Sequence, residues 1–216
     1  EPSLRIFEQS QSYAKSKIWN LQTEYYKQAG IDAWRKDKLP LYITSNPSMG
    51  KTYAEIVFGF LKDLARKGKT RDTVYLLELG AGHGQFCFHF LKYIEKLMYF
   101  KTDDLPPFCY ILSDIVEDNI AFMKAHSHLK PFIETGWLDF AIVDANNIPK
   151  VHLQNSGKNI ERGALNQPLI IVGNYFFDSL SHELFFIEKQ QLSQTLVTIK
   201  IPDSINVKDP ASVFEN

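Results

Sequence analysis

Apolar and polar positions along the chain fall into two textures, which change near residue 71. Before it, apolar residues recur every three or four positions. Phe7, Tyr13, Ile18, Leu21, Tyr25 and Tyr26 trace such a stripe and predict a helix over residues 7–29, with Gly30 as its C-cap. A short helix carrying Trp34 is expected over residues 31–38. An extended segment or edge strand follows over 39–45, since Pro40 has no amide to give a ladder. Ala54, Val57, Phe58 and Leu61 predict a helix over residues 51–66, ended by Gly68. Beyond residue 71, short apolar runs alternate with helix-like stretches, as in strands covered on both faces. Strands are expected over 74–79, 108–113, 138–143 and 168–173, with helices over 86–98 and 117–125. Residues 149–166 are polar and read as a loop or weak helix. Two later strand-like runs, 183–188 and 196–201, joined by a polar turn, predict a β-hairpin.

This order predicts an α/β fold: a Rossmann-like, doubly wound, mostly parallel sheet over residues 71–216, with residues 1–70 as an N-terminal helical lid in the same compact unit. The first parallel strand runs into Glu78-Leu79-Gly80-Ala81-Gly82-His83-Gly84, and a helix follows. Strand, glycine turn and helix in that order cradle nucleotide-like ligands, because glycine admits positive φ and close approach. A dinucleotide fingerprint places its third glycine at 85, where this chain has Gln85, so an NAD-dependent oxidoreductase fits poorly. Three more polar residues end later strands: Asp114, Asp144 and Asn174. Open parallel sheets bind ligands beyond the carboxyl ends of their strands, so four such groups point to one site.

A second glycine motif, Asn46-Pro47-Ser48-Met49-Gly50-Lys51-Thr52, ends like a phosphate-binding loop. Ser45 stands where that loop needs its first glycine, and Pro47 removes an amide donor. A turn that starts a helix is the better reading.

Composition narrows the partners. The 216 residues are 44% hydrophobic with a formal net charge of −1, which suits a soluble domain and gives no basic excess for nucleic-acid backbone. Lys62, Arg66, Lys67, Lys69 and Arg71 form a local basic run, read as a solvated helix end. Cys87 and Cys109 stand in apolar contexts without zinc spacing, so no metal site is expected and both thiols read as reduced and buried. No apolar run approaches membrane-spanning length and no signal-peptide pattern is visible, so a cytoplasmic, non-membrane protein is expected.

The pattern acid-x-Gly-x-Gly-x-Gly at 78–84, with Asp114, Asp144-Ala145 and Asn174, resembles class I S-adenosylmethionine (SAM) methyltransferases over roughly residues 41–201. Within them, Tyr42-Ile43-Thr44, Phe58-Gly59 and Gly173-Asn174-Tyr175-Phe176-Phe177-Asp178-Ser179-Leu180 resemble the MidA-like protein-arginine methyltransferase family, associated with respiratory complex I assembly. The resemblance implies SAM as cofactor, held by Glu78, Gly80, Ala81, Gly82, Gly84, Asp114, Ile115, Asp144, Ala145 and Asn174. Asp114 would take the ribose diol, Asp144 the adenine amino group, and Glu78 the methionine ammonium. Asn174, Tyr175 and Asp178 would face the methyl acceptor, a protein side chain or small molecule, with Asp178 either a base or a cap. The lid aromatics would shape the acceptor pocket. Two departures stand out. Tyr175 replaces the family's Glu, which would pair with a guanidinium, and the last three strands of a complete class I domain are expected to lie outside this sequence. A non-catalytic assembly or binding module of the same fold is the alternative.

Overall fold

Residues 3–35, 43–101 and 104–214 are described by a computed structural model. In chain order the elements are β1 (Leu4–Ser12), α1 (Ile18–Ala29), α2 (Asp32–Arg35), α3 (Pro47–Arg66), β2 (Val74–Glu78), α4 (Gln85–Tyr99), β3 (Phe108–Asp114), α5 (Glu117–Ala125) and α6 (Lys130–Glu134). They continue with β4 (Leu138–Ile142), β5 (Lys150–His152), β6 (Asn159–Glu161), β7 (Ile170–Val172), β8 (Phe185–Glu188), β9 (Gln191–Gln194), β10 (Leu196–Pro202) and α7 (Pro210–Phe214). Two compact units result: Gly30–Tyr175, and Glu1–Ala29 with Phe176–Asn216.

The larger unit is built on a four-stranded parallel sheet in the order β4-β3-β2-β7. Strand residues alternate in facing, so Leu76, Tyr110, Leu112, Leu138 and Phe140 share one face. They join a continuous core with helices α3 to α6. Helix α3 buries Gly50, Ala54, Val57, Leu61 and Leu64, and α4 buries Phe86, Cys87, Phe90, Leu91 and Ile94, each a stripe at helical spacing. Strand order reverses between β2 and β7, because the chain leaves β4 at one edge and returns beside β2. That reversal is the switch point at which open α/β sheets bind ligands. The parallel strands and their order agree with the Rossmann-like expectation. The double winding is not matched by a helix between β4 and β7, where the polar stretch instead forms the β5–β6 antiparallel hairpin.

The phosphate-loop likeness is resolved here. Asn46 accepts the Met49 amide through its side chain at 3.0 Å, and Pro47 occupies the first helical turn. Helix α3 therefore starts earlier than the apolar stripe predicts, and Gly50-Lys51-Thr52 lies inside it. A Cβ on Gly50 would stand 2.6 Å from the His89 Cβ and 2.9 Å from the Phe90 nitrogen. Gly50 is where α3 and α4 cross at close range, which explains a glycine in mid-helix. The extended segment expected over 39–45 lies outside the described residues up to 42. Residues 43–46 form a turn and bend before α3.

The smaller unit departs most from the sequence reading. Residues 7–12 were expected as helix and instead belong to β1, which pairs antiparallel with β10. Tyr13 of that stripe falls in a single 3-10 turn over Tyr13–Lys15, α1 carries Ile18, Leu21, Tyr25 and Tyr26, and Gly30 follows it with φ +49. The late hairpin exists, but its arms are β8 and β9, joined at Lys189 and Gln190, both with positive φ. The run at 196–201 is a strand that pairs elsewhere, with β1. Buried Glu8 accepts from the Ser16 hydroxyl and from the Lys17 amide at 2.8 Å. Burial raises its pKa, but these donors outweigh it and hold the carboxyl below its ordinary value. The Trp19 indole donates to the Tyr13 carbonyl at 2.8 Å, and its ring stacks on His182.

Candidate functional site

The glycine turn sits at the carboxyl end of β2. Gly80, Gly82 and Gly84 have φ of 64°, 57° and 77°, a region that side chains beyond glycine enter at a cost. Backbone bonds tie the turn to its neighbours. The Leu79 amide donates to Val172 O and the Ala81 amide to Ser113 O, both at 2.9 Å. The turn is thus fixed between β3 and β7, across the switch point. Gly84 has a second reason to be glycine, since a Cβ there would stand 2.8 Å from the Met123 sulfur. It leads into α4, whose first amides have no partner within the helix and face any anionic group at the turn.

Two carboxyl groups lie under this turn. Glu78 is buried, and the Tyr110 hydroxyl donates to its Oε2 at 2.8 Å. Burial is the main cause that pushes its pKa up to about 8; the Tyr110 bond opposes the shift and the nearby Asp114 charge adds to it. At neutral pH Glu78 is mostly a neutral acid. Asp114 is also buried, and burial raises its pKa against the pull of several donors. Its Oδ2 accepts the Gly82 amide at 2.9 Å; its Oδ1 accepts the Val116 amide at 2.9 Å and the Asn119 amide group at 3.4 Å. Asp114 therefore braces the glycine turn against the start of α5. Ile115 beside it is 36% exposed and offers an apolar surface.

The other strand-end residues are placed differently. Asp144, two residues past β4, is exposed and accepts the Asn146 amide at 2.9 Å, an Asx turn that leaves half of its carboxylate to other donors. Ala145 follows it, half-buried. Asn174, past β7, donates from its side chain to the Thr44 carbonyl at 2.8 Å, which ties the turn before α3 to the end of the sheet. Tyr175 is 68% exposed and takes φ 52. Asp178 falls in the smaller unit, exposed, within a single helical turn over Phe177–Ser179. The larger unit thus brings Glu78, the glycines, Asp114 and Ile115 together, with Asp144 and Asn174 at the flanking strand ends.

Two members of the site escaped the sequence. Tyr110 shares the Glu78 face of the sheet, which strand alternation would have revealed once the register was known. Asn119, fully buried on α5, is a polar residue beside Ile120 on the face that points inward. A polar residue among buried neighbours five positions after Asp114 was the available signal.

Cys87 and Cys109 are both buried and free, and burial pushes the Cys109 thiol up to about 12. Among the described residues no helix is long and apolar enough to cross a membrane, and no group of three or more His, Cys, Asp or Glu could hold a metal ion.

No curated protein matches the chain. Among solved structures, the chain is similar to an uncharacterized protein from Burkholderia thailandensis, with 13% identity and a TM-score of 0.41. That match covers 93% of this chain and 51% of the other, so the chain spans about half the length of that protein. A likeness this low carries no argument about chemistry. The stronger finding is a family match over residues 56–214, which runs from α3 through the glycine turn and every strand-end residue to the end of α7. The chain belongs to the family described as "Putative S-adenosyl-L-methionine-dependent methyltransferase".

Proposed function

We propose that the chain forms the cofactor-binding part of a SAM-dependent methyltransferase whose acceptor is a protein side chain or a small molecule, most like the MidA-like family. The observation that carries this reading is the fixed glycine turn at the switch point with Glu78 and Asp114 buried beneath it. The residues present suit this cofactor. A buried, largely neutral Glu78 gains its charge when an ammonium group arrives, and the free amides of α4 suit a carboxylate. When bound, SAM supplies a methyl group already activated on a sulfonium, so the protein's task is to position and exclude water.

The chain's own residues divide that task. Asp114 holds the Gly82 backbone in place, Ile115 offers an apolar surface for a base, and Asp144 with Ala145 offers an acceptor at its edge. Asn174 and Tyr175 are the acceptor-side groups, and Asp178 is a candidate base by its place in the chain just after them. Tyr175 brings a hydroxyl where the MidA-like pattern has a carboxylate, so a guanidinium loses its natural ion-pair partner. An acceptor other than arginine follows from that exchange. The near-zero net charge supports an acceptor other than nucleic acid, and a cytoplasmic, non-membrane setting belongs to the same proposal.

Tyr175 also favours a second reading, a module that binds the cofactor without turnover and serves in assembly. Transfer of tritium from methyl-labelled SAM separates the two. Label moving into protein or small-molecule fractions of a lysate, and lost with Gly82→Arg, supports the enzyme. Saturable SAM binding with no transfer to either fraction supports the module and overturns the enzyme.

A further inference from the structure

We propose that Tyr110 is a positioning residue of the cofactor's ammonium subsite, acting through Glu78; this deepens the SAM reading above and rests on it. Tyr110 is fully buried on β3, and its hydroxyl donates to Glu78 Oε2 at 2.8 Å. Its ring packs on Phe90 of α4, with centroids 5.1 Å apart. A rigid ring on the strand next to β2 thus fixes one oxygen of the carboxyl. The other, Oε1, has no hydrogen-bond partner among the described residues, yet it is not one of their fully enclosed unpaired oxygens. It keeps part of the 3% exposure left to Glu78, which ends β2 just before the glycine turn. An ammonium group brings three N–H donors and a positive charge, which suits an acid with one oxygen pinned and one open.

The hydroxyl matters because little else near Glu78 favours its charge. Cys87 on α4 and Asp114 at the end of β3 are the other titratable groups that act on it or feel it, while apolar Leu112 and Val172 stand opposite it on the neighbouring strands. Burial, and next the Glu78 charge, hold the Cys87 thiol well above its ordinary pKa, so it stays neutral. The Asp114 charge opposes ionisation of Glu78, and among these groups only the Tyr110 bond supports it. Burial also raises the Tyr110 phenol well above its ordinary value, so it remains a donor. When an ammonium binds, the Glu78 proton passes to solvent, and the carboxylate is shared between phenol and ammonium. Without the hydroxyl the acid is harder to ionise, and the ligand loses part of its ion pair.

Calorimetry on the full chain across neutral pH, with S-adenosylhomocysteine and its analogue lacking the amino group, tests this. Wild type is expected to bind S-adenosylhomocysteine more tightly as pH rises towards about 8, by at most about tenfold per pH unit, and to release a proton to the buffer. The deamino analogue should show neither effect. Tyr110→Phe is expected to weaken S-adenosylhomocysteine by roughly tenfold at neutral pH, to move the rise to higher pH, and to leave the deamino analogue unchanged. Equal weakening of both ligands, no weakening, or an unmoved pH profile means a merely structural Tyr110 and overturns the proposal, as does a wild type whose affinity ignores pH. If Tyr110→Phe does not fold, Glu78→Gln is compared with the double variant, in which both partners of the bond are changed. The two should bind S-adenosylhomocysteine alike; further weakening in the double variant overturns the proposal. Wild type that binds neither ligand overturns the cofactor reading itself, which is a different failure.

Discussion

Glu78 gives the site its sharpest pH signature. Its folded-state pKa is raised to about 8 from 4.5, chiefly by burial. A raised carboxyl contributes stability that is full below the unfolded pKa and is lost as pH rises through the folded one. Wild type should therefore lose stability between about pH 4.5 and pH 8, with a slope from this group of at most about 1.4 kcal/mol per pH unit. Glu78→Gln keeps the shape and removes the titration. Urea denaturation across that range should show a flatter profile for the variant; equal profiles would mean that Glu78 is ionised in the fold. The sequence announced Glu78 and Asp114 by their place at strand ends. It did not announce that Asp114 spends its oxygens on the protein's own amides, because that depends on how α5 starts against the turn. Asn119 was hidden for the same reason.

Among the elements, the crossing of α3 and α4 carries a clear test. Two glycines lie in α3 with opposite surroundings. Gly50 is pressed against His89 and Phe90, whereas a Cβ on Gly59 would meet nothing within 4 Å. Gly59→Ala should stabilise the protein by about 0.5–1 kcal/mol through helix propensity alone. Gly50→Ala gains the same propensity but forces the helices apart, and should destabilise by about 1–3 kcal/mol. Chemical denaturation of both variants checks the pair; a stabilised Gly50→Ala would contradict the close crossing. Helices α3 to α5 and the parallel strands of the larger unit were legible, the helices by their period and the strands as unbroken apolar runs, whereas the short α6 was not foreseen. The elements misread were the short β5–β6 hairpin, hidden in a polar stretch, and strands whose partners are far in sequence. Strand β1 has an exposed, mixed face with Leu4 and Ile6 open to solvent, and its ladder is completed by β10 nearly two hundred positions away. No local period encodes such a pairing. The same long-range pairing takes the 196–201 run away from the neighbouring 183–188 and onto β1.

At the scale of the whole molecule, each unit has its own organisation. The larger one contains the parallel sheet, the switch point and the buried Glu78 and Asp114, and the family match extends across both. A parallel sheet was foreseeable from alternating strand and helix signals, although the last connection carries a hairpin and not a helix. The grouping of residues 1–29 with 176–216 was not, because it rests on the β1–β10 ladder and on packing such as Tyr25 against Phe214. The account stands or falls on the glycine turn as a SAM site. Calorimetric titration of the full chain with S-adenosylhomocysteine tests that most directly, with Gly82→Arg as control because its side chain would enter the ligand's path from a backbone at φ 57. The predicted result is saturable one-to-one binding that disappears in a folded Gly82→Arg variant. No heat from a folded wild-type chain at high micromolar ligand would contradict it.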